Sequence, residues 1–303
     1  YPVENWESVR RKLYKYRELR IPPGTDDKIL TSWNGMMIRA LARAARVCEN
    51  ERFYTAAERT TRFLFSEMQT ADGTLLHSYR QGIAKVQGQL EDYAFFISGL
   101  IELYSHNYTT EYLRSAVSLM DTALNEFEDK TAGGFYNTTS RGEPLQLNTK
   151  SIYDGAIPSN FSTMVENLEL LFRLTGTIRY RDIALKAVKA HIEEIKTAPT
   201  ACSMAINAAQ RLLSNYAHEI VIAGEGDEAD HMLLTVRNNY LPESVVHHKT
   251  SVNADTLAEV APFTASLTAD TATGAAAYVC SGFTCERPVQ TAHELKQLLH
   301  IVL

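Results

Sequence analysis

Three aromatic residues, Phe53, Tyr112 and Tyr180, each have an alanine four positions later, at Ala57, Ala116 and Ala184. Twenty residues before each aromatic, at Trp33, Asp92 and Asn160, another amphipathic segment begins. A four-residue spacing puts the aromatic and the alanine on one helical face. Short connectors join the two segments of each pair, around Cys48-Glu49-Asn50-Glu51, around Ser105-His106-Asn107-Tyr108 and at Thr175-Gly176-Thr177. Connectors this short imply antiparallel neighbours. The repeating unit is therefore a helical hairpin, which recurs after 59 and then 68 residues and predicts an array of such units.

The array is predicted to close rather than to run on as a solenoid. Common helical solenoid repeats span about 34 to 47 residues, and the excess here lies in the links, residues 69–89 and 128–158. Both links leave a second helix and enter a first helix, so both lie at one end of the array. They are polar and contain glycine, and they read as loops. Gly133-Gly134-Phe135-Tyr136 and Tyr153-Asp154-Gly155-Ala156 interleave aromatics with glycines, unlike a disordered linker. The expected fold is mainly α, a partial (α/α)6 toroid with a cleft at one rim. Eight helices are expected, starting with one over residues 5–20 that carries Trp6, Val9, Leu13 and Tyr16 on one stripe. The next is capped by Ser32 and turns Met36, Met37, Ala40, Leu41, Ala44 and Val47 inward. The last covers residues 200–216. Beyond it, strands near 218–224, 244–248 and 275–280, with helices at 227–239 and 291–303, predict a small α/β appendage. Residues 250–273 read as irregular. The expected division is a toroid portion, 1–216, and an appendage, 217–303.

Composition narrows the function classes. The chain has 303 residues, 45% hydrophobic and 22% charged, with a net charge of −6, which predicts a water-soluble globular protein. That balance argues against a polyanion-binding surface, so no nucleic-acid partner is expected. No run of about 18 apolar residues suggests a membrane span, and the charged, helix-patterned first 20 residues do not read as a signal peptide. Four cysteines form no disulfide framework and predict a reducing, cytoplasmic setting. The opening Tyr1-Pro2, without Met, is expected of a piece of a longer chain.

The starts of the three first helices carry unlike polar residues: Ser32-Trp33-Asn34, Glu91-Asp92-Tyr93 and Ser159-Asn160-Phe161. Asp26-Asp27-Lys28 precedes the first and Tyr153-Asp154 the third. In a toroid these starts ring a common depression. Aromatics that stack on sugar faces, beside carboxylates and amides that bind hydroxyls, suit a sugar-like ligand. Asp26, Lys28, Trp33, Asn34, Tyr93, Phe135, Tyr136, Tyr153, Ser159 and Asn160 are the expected binding residues. Asp27, Glu91, Asp92 and Asp154 are candidates for the paired carboxylates of glycoside chemistry, and His77 for an acid or base near neutral pH. Ordinary helix capping is the competing account of the Ser, Asp and Asn residues.

No metal or cofactor is expected. Gly224-Glu225-Gly226-Asp227-Glu228-Ala229 fits a loose dinucleotide fingerprint, but its carboxylates would repel a pyrophosphate. His247 and His248 are adjacent on a strand and point to opposite faces. Cys280 and Cys285 are close enough to approach one another, but two thiols do not fill a structural zinc site.

Several motifs in order, Asp26-Asp27-Lys28-Ile29-Leu30-Thr31-Ser32-Trp33-Asn34-Gly35, Leu90-Glu91-Asp92-Tyr93-Ala94, Gly133-Gly134-Phe135 and Asp154-Gly155-Ala156-Ile157-Pro158-Ser159-Asn160, support a family resemblance. So does the tail Tyr278-Val279-Cys280 with Cys285-Glu286-Arg287-Pro288. The chain resembles a family of thioredoxin-domain-containing proteins that includes spermatogenesis-associated protein 20 and bacterial YyaL-type proteins. Ser159-Asn160-Phe161-Ser162 departs from the family's usual Gly-Asn-Ser at this turn. The resemblance implies an upstream thioredoxin-like domain followed by an (α/α)6 toroid similar to N-acylglucosamine 2-epimerases and six-hairpin glycosidases. It also implies that this chain is the C-terminal portion of its parent, with apolar toroid faces left for self-association. Two functions follow as expectations: a carbohydrate-related toroid, or a non-catalytic scaffold that positions the thioredoxin-like domain and protein partners.

Overall fold

The computed structural model describes residues 5–139, 147–214 and 217–300. Its first helix, α1 (Trp6–Glu18), forms where the stripe predicts but buries none of its residues. Strand β1 (Ile29–Leu30) then leads into α2 (Thr31–Val47), which packs against α3 (Glu51–Glu67). Asn50 caps α3, its side chain accepting from the Arg52 backbone N–H. The next hairpin joins α4 (Leu90–Asn107) to α5 (Thr110–Phe127), and a third joins α6 (Asn160–Thr175) to α7 (Ile178–Ala190). After α7 the chain breaks at His191 into a separate α8 (Ile192–Thr197), and a 3₁₀ turn leads to α9 (Ser203–Leu213). The expected end of α9 at residues 215 and 216 lies outside the described residues.

First helices pack side by side, α2 on α4, α4 on α6 and α6 on α9. The α4 and α6 helices are thus covered on both flanks and bury almost every residue, including Phe95, Phe96, Leu100, Leu168 and Leu171. The hairpins form a two-layered arc of an (α/α) toroid, and the fold is mainly α, as expected. The arc's main core runs from Ile38 and Leu64 through Leu100 and Phe127 to Ala184 and Ala205.

The α2 helix corrects two expectations. Ser32 is not its cap. The helix begins one residue earlier, after Leu30 in extended conformation, and the Ser32 N–H donates instead to Asp92 of α4. The buried face is Thr31, Ser32, Gly35, Ile38, Ala42 and Ala45, whereas Met37 and Val47 are exposed. Small residues win that face because α4 comes so close. A Cβ added to Gly35 would lie 2.6 Å from the Phe95 carbonyl carbon and from the Phe96 nitrogen. One added to Gly99 would lie 3.0 Å from the Gly35 carbonyl oxygen.

Residues 69–89 are not a loop. They form a hairpin of β2 (Leu76–Arg80) and β3 (Ile83–Gln87), and β1 pairs with β2 to give an antiparallel three-stranded sheet. Gln81 and Gly82, both at positive φ (51° and 80°), make the tight turn.

The C-terminal residues add β4 (Glu219–Gly224), α10 (Asp227–Arg237), β5 (Val245–Lys249), α11 (Ala254–Val260), β6 (Ala275–Ser281), β7 (Thr284–Cys285) and α12 (Ala292–Leu298). The sheet order is β5-β4-β6-β7, with β4 parallel to β5 and antiparallel to β6. Ile220 and Ile222 of β4 pack with Ala229, Met232 and Leu295 from α10 and α12. On the other face His247 meets Tyr104 of α4, with Nδ1 hydrogen-bonded to the phenol. Burial lowers the pKa of that imidazole to about 4 and keeps it neutral. Region 250–273, expected to be irregular, contains α11. Residues 301–303, the expected end of the closing helix, lie outside the described residues. Cys280 and Cys285, partners across β6 and β7, form a disulfide, where the cysteine count had suggested only thiols. Among the described residues no helix is long and apolar enough to cross a membrane.

Because the α2–α4 contact leaves no room for a methyl, Gly35→Ala should cost about 1–3 kcal/mol. A lower urea midpoint with an unchanged m-value is the expected result.

Candidate functional site

The first turn of α4 places Glu91 and Asp92 opposite the start of α2 and the middle of β2. Asp92 is completely buried. Its Oδ1 accepts the Ser32 N–H at 3.0 Å, and its Oδ2 accepts the Gln89 N–H at 2.8 Å and faces His77 Nδ1 at 2.9 Å. One carboxylate thereby ties α2, α4 and the β2–β3 hairpin together. Glu91 lies beside it, with Oε1 accepting from the Ser32 hydroxyl at 3.3 Å and lying 3.9 Å from His77 Nδ1.

The electrostatics follow from these contacts. The Asp92 hydrogen bond raises the His77 pKa above its usual 6.5, assisted by the charges of Asp92 and Glu91 and opposed by burial and by Lys28. Burial raises the pKa of Glu91, as does the neighbouring Asp92 charge, while His77 and Ser32 pull it down. With Nδ1 engaged by Asp92, the imidazole keeps Nε2 as its second donor or acceptor position. The cluster therefore places a carboxyl that retains its proton more readily than usual beside a histidine that does the same, with the Nδ1 side of the ring fixed by Asp92.

His77, Glu91 and Asp92 each offer a ligand atom within 4.8 Å of the others, the spacing of a cation site. A cation there would have to compete for Nδ1 with the His77–Asp92 hydrogen bond and for Asp92 with two backbone donors. The donor set is therefore better matched to proton chemistry than to metal binding.

Some of the expected site residues surround this cluster. The β1–β2 pairing brings the preceding segment alongside His77, so that Asp27 pairs with Arg80 and Asp26 with Lys28 at 3.3 Å. Trp33, next to Ser32, is 64% exposed. Asn34 is occupied locally, donating to the Leu30 carbonyl at 2.8 Å.

Others are placed elsewhere. Tyr93 is buried, with its hydroxyl accepting the Leu75 N–H at 2.9 Å, and Phe135 is buried against Phe161. Neither presents a face to a ligand, because each fills core beneath the rim. The Tyr136 hydroxyl donates to Asp129, and Lys150 lies 4.7 Å above its ring. Asp154 accepts from Ser159 N, Ser159 Oγ and Met204 N at 2.9, 2.9 and 3.0 Å, so it fastens the start of α6 to α9. Ser159 caps α6 through Ser162 N, Asn160 is half-buried, and Tyr153 is exposed. Sequence reasoning did not assign Ser32 or Arg80 to the site. The alternation Leu76, Ser78, Arg80 against His77, Tyr79 was the available signal for a strand, one that turns His77 and Arg80 to opposite faces.

No family model matches the chain. Human spermatogenesis-associated protein 20 is 31% identical over 306 residues, covering 95% of this chain and 38% of the human protein. The chain is a homologue of spermatogenesis-associated protein 20. The rat protein of that name is 30% identical with the same coverage. The chain thus spans 38% of the length of these curated relatives. Among solved structures, cellobiose 2-epimerase from Spirochaeta thermophila is similar with a TM-score of 0.46 and 18% identity, covering 63% of this chain and 55% of the epimerase.

His77 couples folding stability to pH. Its raised folded pKa contributes stability that is complete below the unfolded value of about 6.5 and is lost as pH rises through the folded value. Asp92→Asn should lower the His77 pKa, read by NMR titration of its ring protons. His77→Gln should remove that group's share of the stability loss on going from pH 6 to pH 8, read from paired urea melts.

Proposed function

We propose that the chain binds a sugar-like, polyhydroxylated ligand where α2 and α4 begin, and that His77 and Glu91 exchange protons with it. The observation that carries this reading is the His77–Asp92–Glu91 cluster beside the exposed Trp33. Trp33 offers a flat apolar face for a sugar ring, and Lys28, Asp26 and Asp27 offer hydroxyl partners at the mouth. Asp92 has no exposed surface and acts through His77, so it is a positioning residue. The acid–base pair is then His77, which holds its proton more readily than usual, as donor through Nε2 and Glu91 as acceptor, and the two-carboxylate arrangement of glycoside hydrolysis is not formed by Glu91 and Asp92. Neighbouring groups of this kind suit proton removal and return at one carbon of a reducing sugar. The sugar-processing names of structures with similar folds agree with this reading but do not support it independently. Asp154, Ser159, Asn160 and Tyr153 are proposed to form the far edge of the same rim.

The second reading is a non-catalytic scaffold for an upstream thioredoxin-like domain. It is favoured by one specific observation, that Asp92 is spent on structure, capping its own helix through the Gln89 N–H and tying α4 to α2 and to the β2 strand. Tryptophan fluorescence with a panel of mono- and disaccharides separates the two, together with deuterium wash-in from D2O. The proposal expects saccharide-dependent quenching, and an affinity by calorimetry that falls at least tenfold in Trp33→Ala. It also expects wash-in that is abolished in His77→Gln and Glu91→Gln, with melting temperatures shifted by no more than a few degrees. Absence of any saccharide response, or variants that lose only stability, would leave the scaffold.

A further inference from the structure

The other end of the same helices holds a cleft of about 560 Å³ that the proposed sugar site does not use. Ser32 and Arg46 lie on α2 about 21 Å apart at 1.5 Å per residue. The cleft opens where α2, α4 and α6 finish and the connector from α10 to β5 passes over them. Its charged lining is uneven. Arg39, Arg43, Arg46, Arg211 and Arg237 face it, against only Glu102 and Glu166.

The existing pairs do not exhaust these guanidiniums. Glu102 serves two of them, Arg43 at 3.0 Å and Arg46 at 2.7 Å. Glu166 takes Arg39 at 2.7 Å and lies 3.5 Å from Arg211, which is shared with Glu169. Arg237, among the described residues, has no carboxylate within ion-pair distance and donates to the His106 carbonyl at 3.2 Å. Helix C-termini bring only about half a negative charge each, and Arg46 and Arg237 already bond two of the carbonyls there, so the lining stays cationic. His106, beside the cleft, registers the same field: burial lowers its pKa first, and the charge of Arg237 lowers it further. Between the arginines the wall is apolar, formed by Ile101, Leu170, Leu174 and Val245.

We propose that this cleft binds a small organic anion, with its carboxylate or phosphate head held by Arg43, Arg46 and Arg237 and its apolar body lying on Leu170, Leu174 and Val245. Guanidinium forks match the geometry of both head groups, and the shared use of Glu102 leaves donors of Arg43 and Arg46 free to turn to a ligand. This site is independent of the sugar reading.

Phenyl phosphate and phthalate supply the two head groups on a small apolar body, with sodium chloride at matched ionic strength as reference. At least one should raise the melting temperature by several degrees above the reference and bind in calorimetry. The better of the two identifies the head. Arg237→Gln, an exposed substitution that leaves every ion pair in place, should weaken that binding about tenfold, and so should Arg43→Gln. Arg10→Gln on α1 should leave it within twofold. The proposal is overturned if neither compound exceeds the matched salt, or if both cleft variants bind as tightly as the unaltered chain.

Discussion

The approach of α2 to α4 at Gly35 governs much of this structure. No side chain separates the two backbones there, and Gly99 repeats the economy on the facing helix. The consequence is felt one turn earlier, where the Ser32 N–H reaches the Asp92 carboxylate and its hydroxyl reaches Glu91. With a larger residue at position 35 the two helices would stand apart, and the buried carboxylate would lose the donor that α2 provides. Burial of an unpaired carboxylate is among the most expensive states a core can hold. The same contact therefore sets both the packing of the arc and the position of its most polar group.

Charge is handled differently at the two ends of these helices. Near their starts, few groups are used and each is fixed: Asp92 by two backbone donors, His77 by Asp92, and Glu91 by Ser32. Near their ends, guanidiniums and carboxylates are interleaved over the face of the arc. Where α6 meets β4, the charged groups are buried. Arg173 is enclosed between Glu169 and Glu219 at 2.7 and 2.9 Å, all three almost fully buried, and Arg211 adds a second contact to Glu169. Removing one partner of such a set exposes the full desolvation cost of the others. Since Glu219 belongs to β4, these bonds fix the direction in which the C-terminal sheet meets α6.

The hairpin repeat was legible because it depends on period and spacing: Phe53, Tyr112 and Tyr180 mark the second helices whatever surrounds them. The Leu76–Gln87 hairpin was hidden, since its turn is Gln81-Gly82 rather than Asn-Gly and its strands are half-polar. The inward face of α2 was misread toward Met37 and Val47 because hydrophobicity is a poor guide where the contact demands smallness. In the site, the residue types at Glu91, Asp92 and His77 were legible as chemistry. Their convergence was not, since it depends on a strand pairing between β1 and β2. The disulfide between Cys280 and Cys285 likewise follows from the β6–β7 register and not from the number of cysteines. The arginines of the cleft recur at Arg39, Arg43 and Arg46, a four-and-three spacing that puts them on one face. That pattern carried a signal that apolar periodicity did not reveal.

The three repeats also show why a shared position does not mean a shared role. Trp33, Asp92 and Asn160 are equivalent in the repeat, yet each meets a different neighbour. The α2 start has α4 on one flank only, and Trp33 stays in solvent. The α4 start lies between α2, the β2 strand and the chain at Asn137, whose carbonyl accepts the Leu90 N–H at 3.0 Å, so Asp92 is enclosed on every side and must be satisfied there. The α6 start is held by Asp154, which bonds Ser159 and Met204 and leaves Asn160 half-exposed. Of the three equivalent helix starts, the middle one alone holds a fully buried carboxylate, with donors from separate segments. Among the three starts, that one positions a histidine through a buried acid, and the exposed aromatic of the preceding unit follows directly after the serine that completes the arrangement.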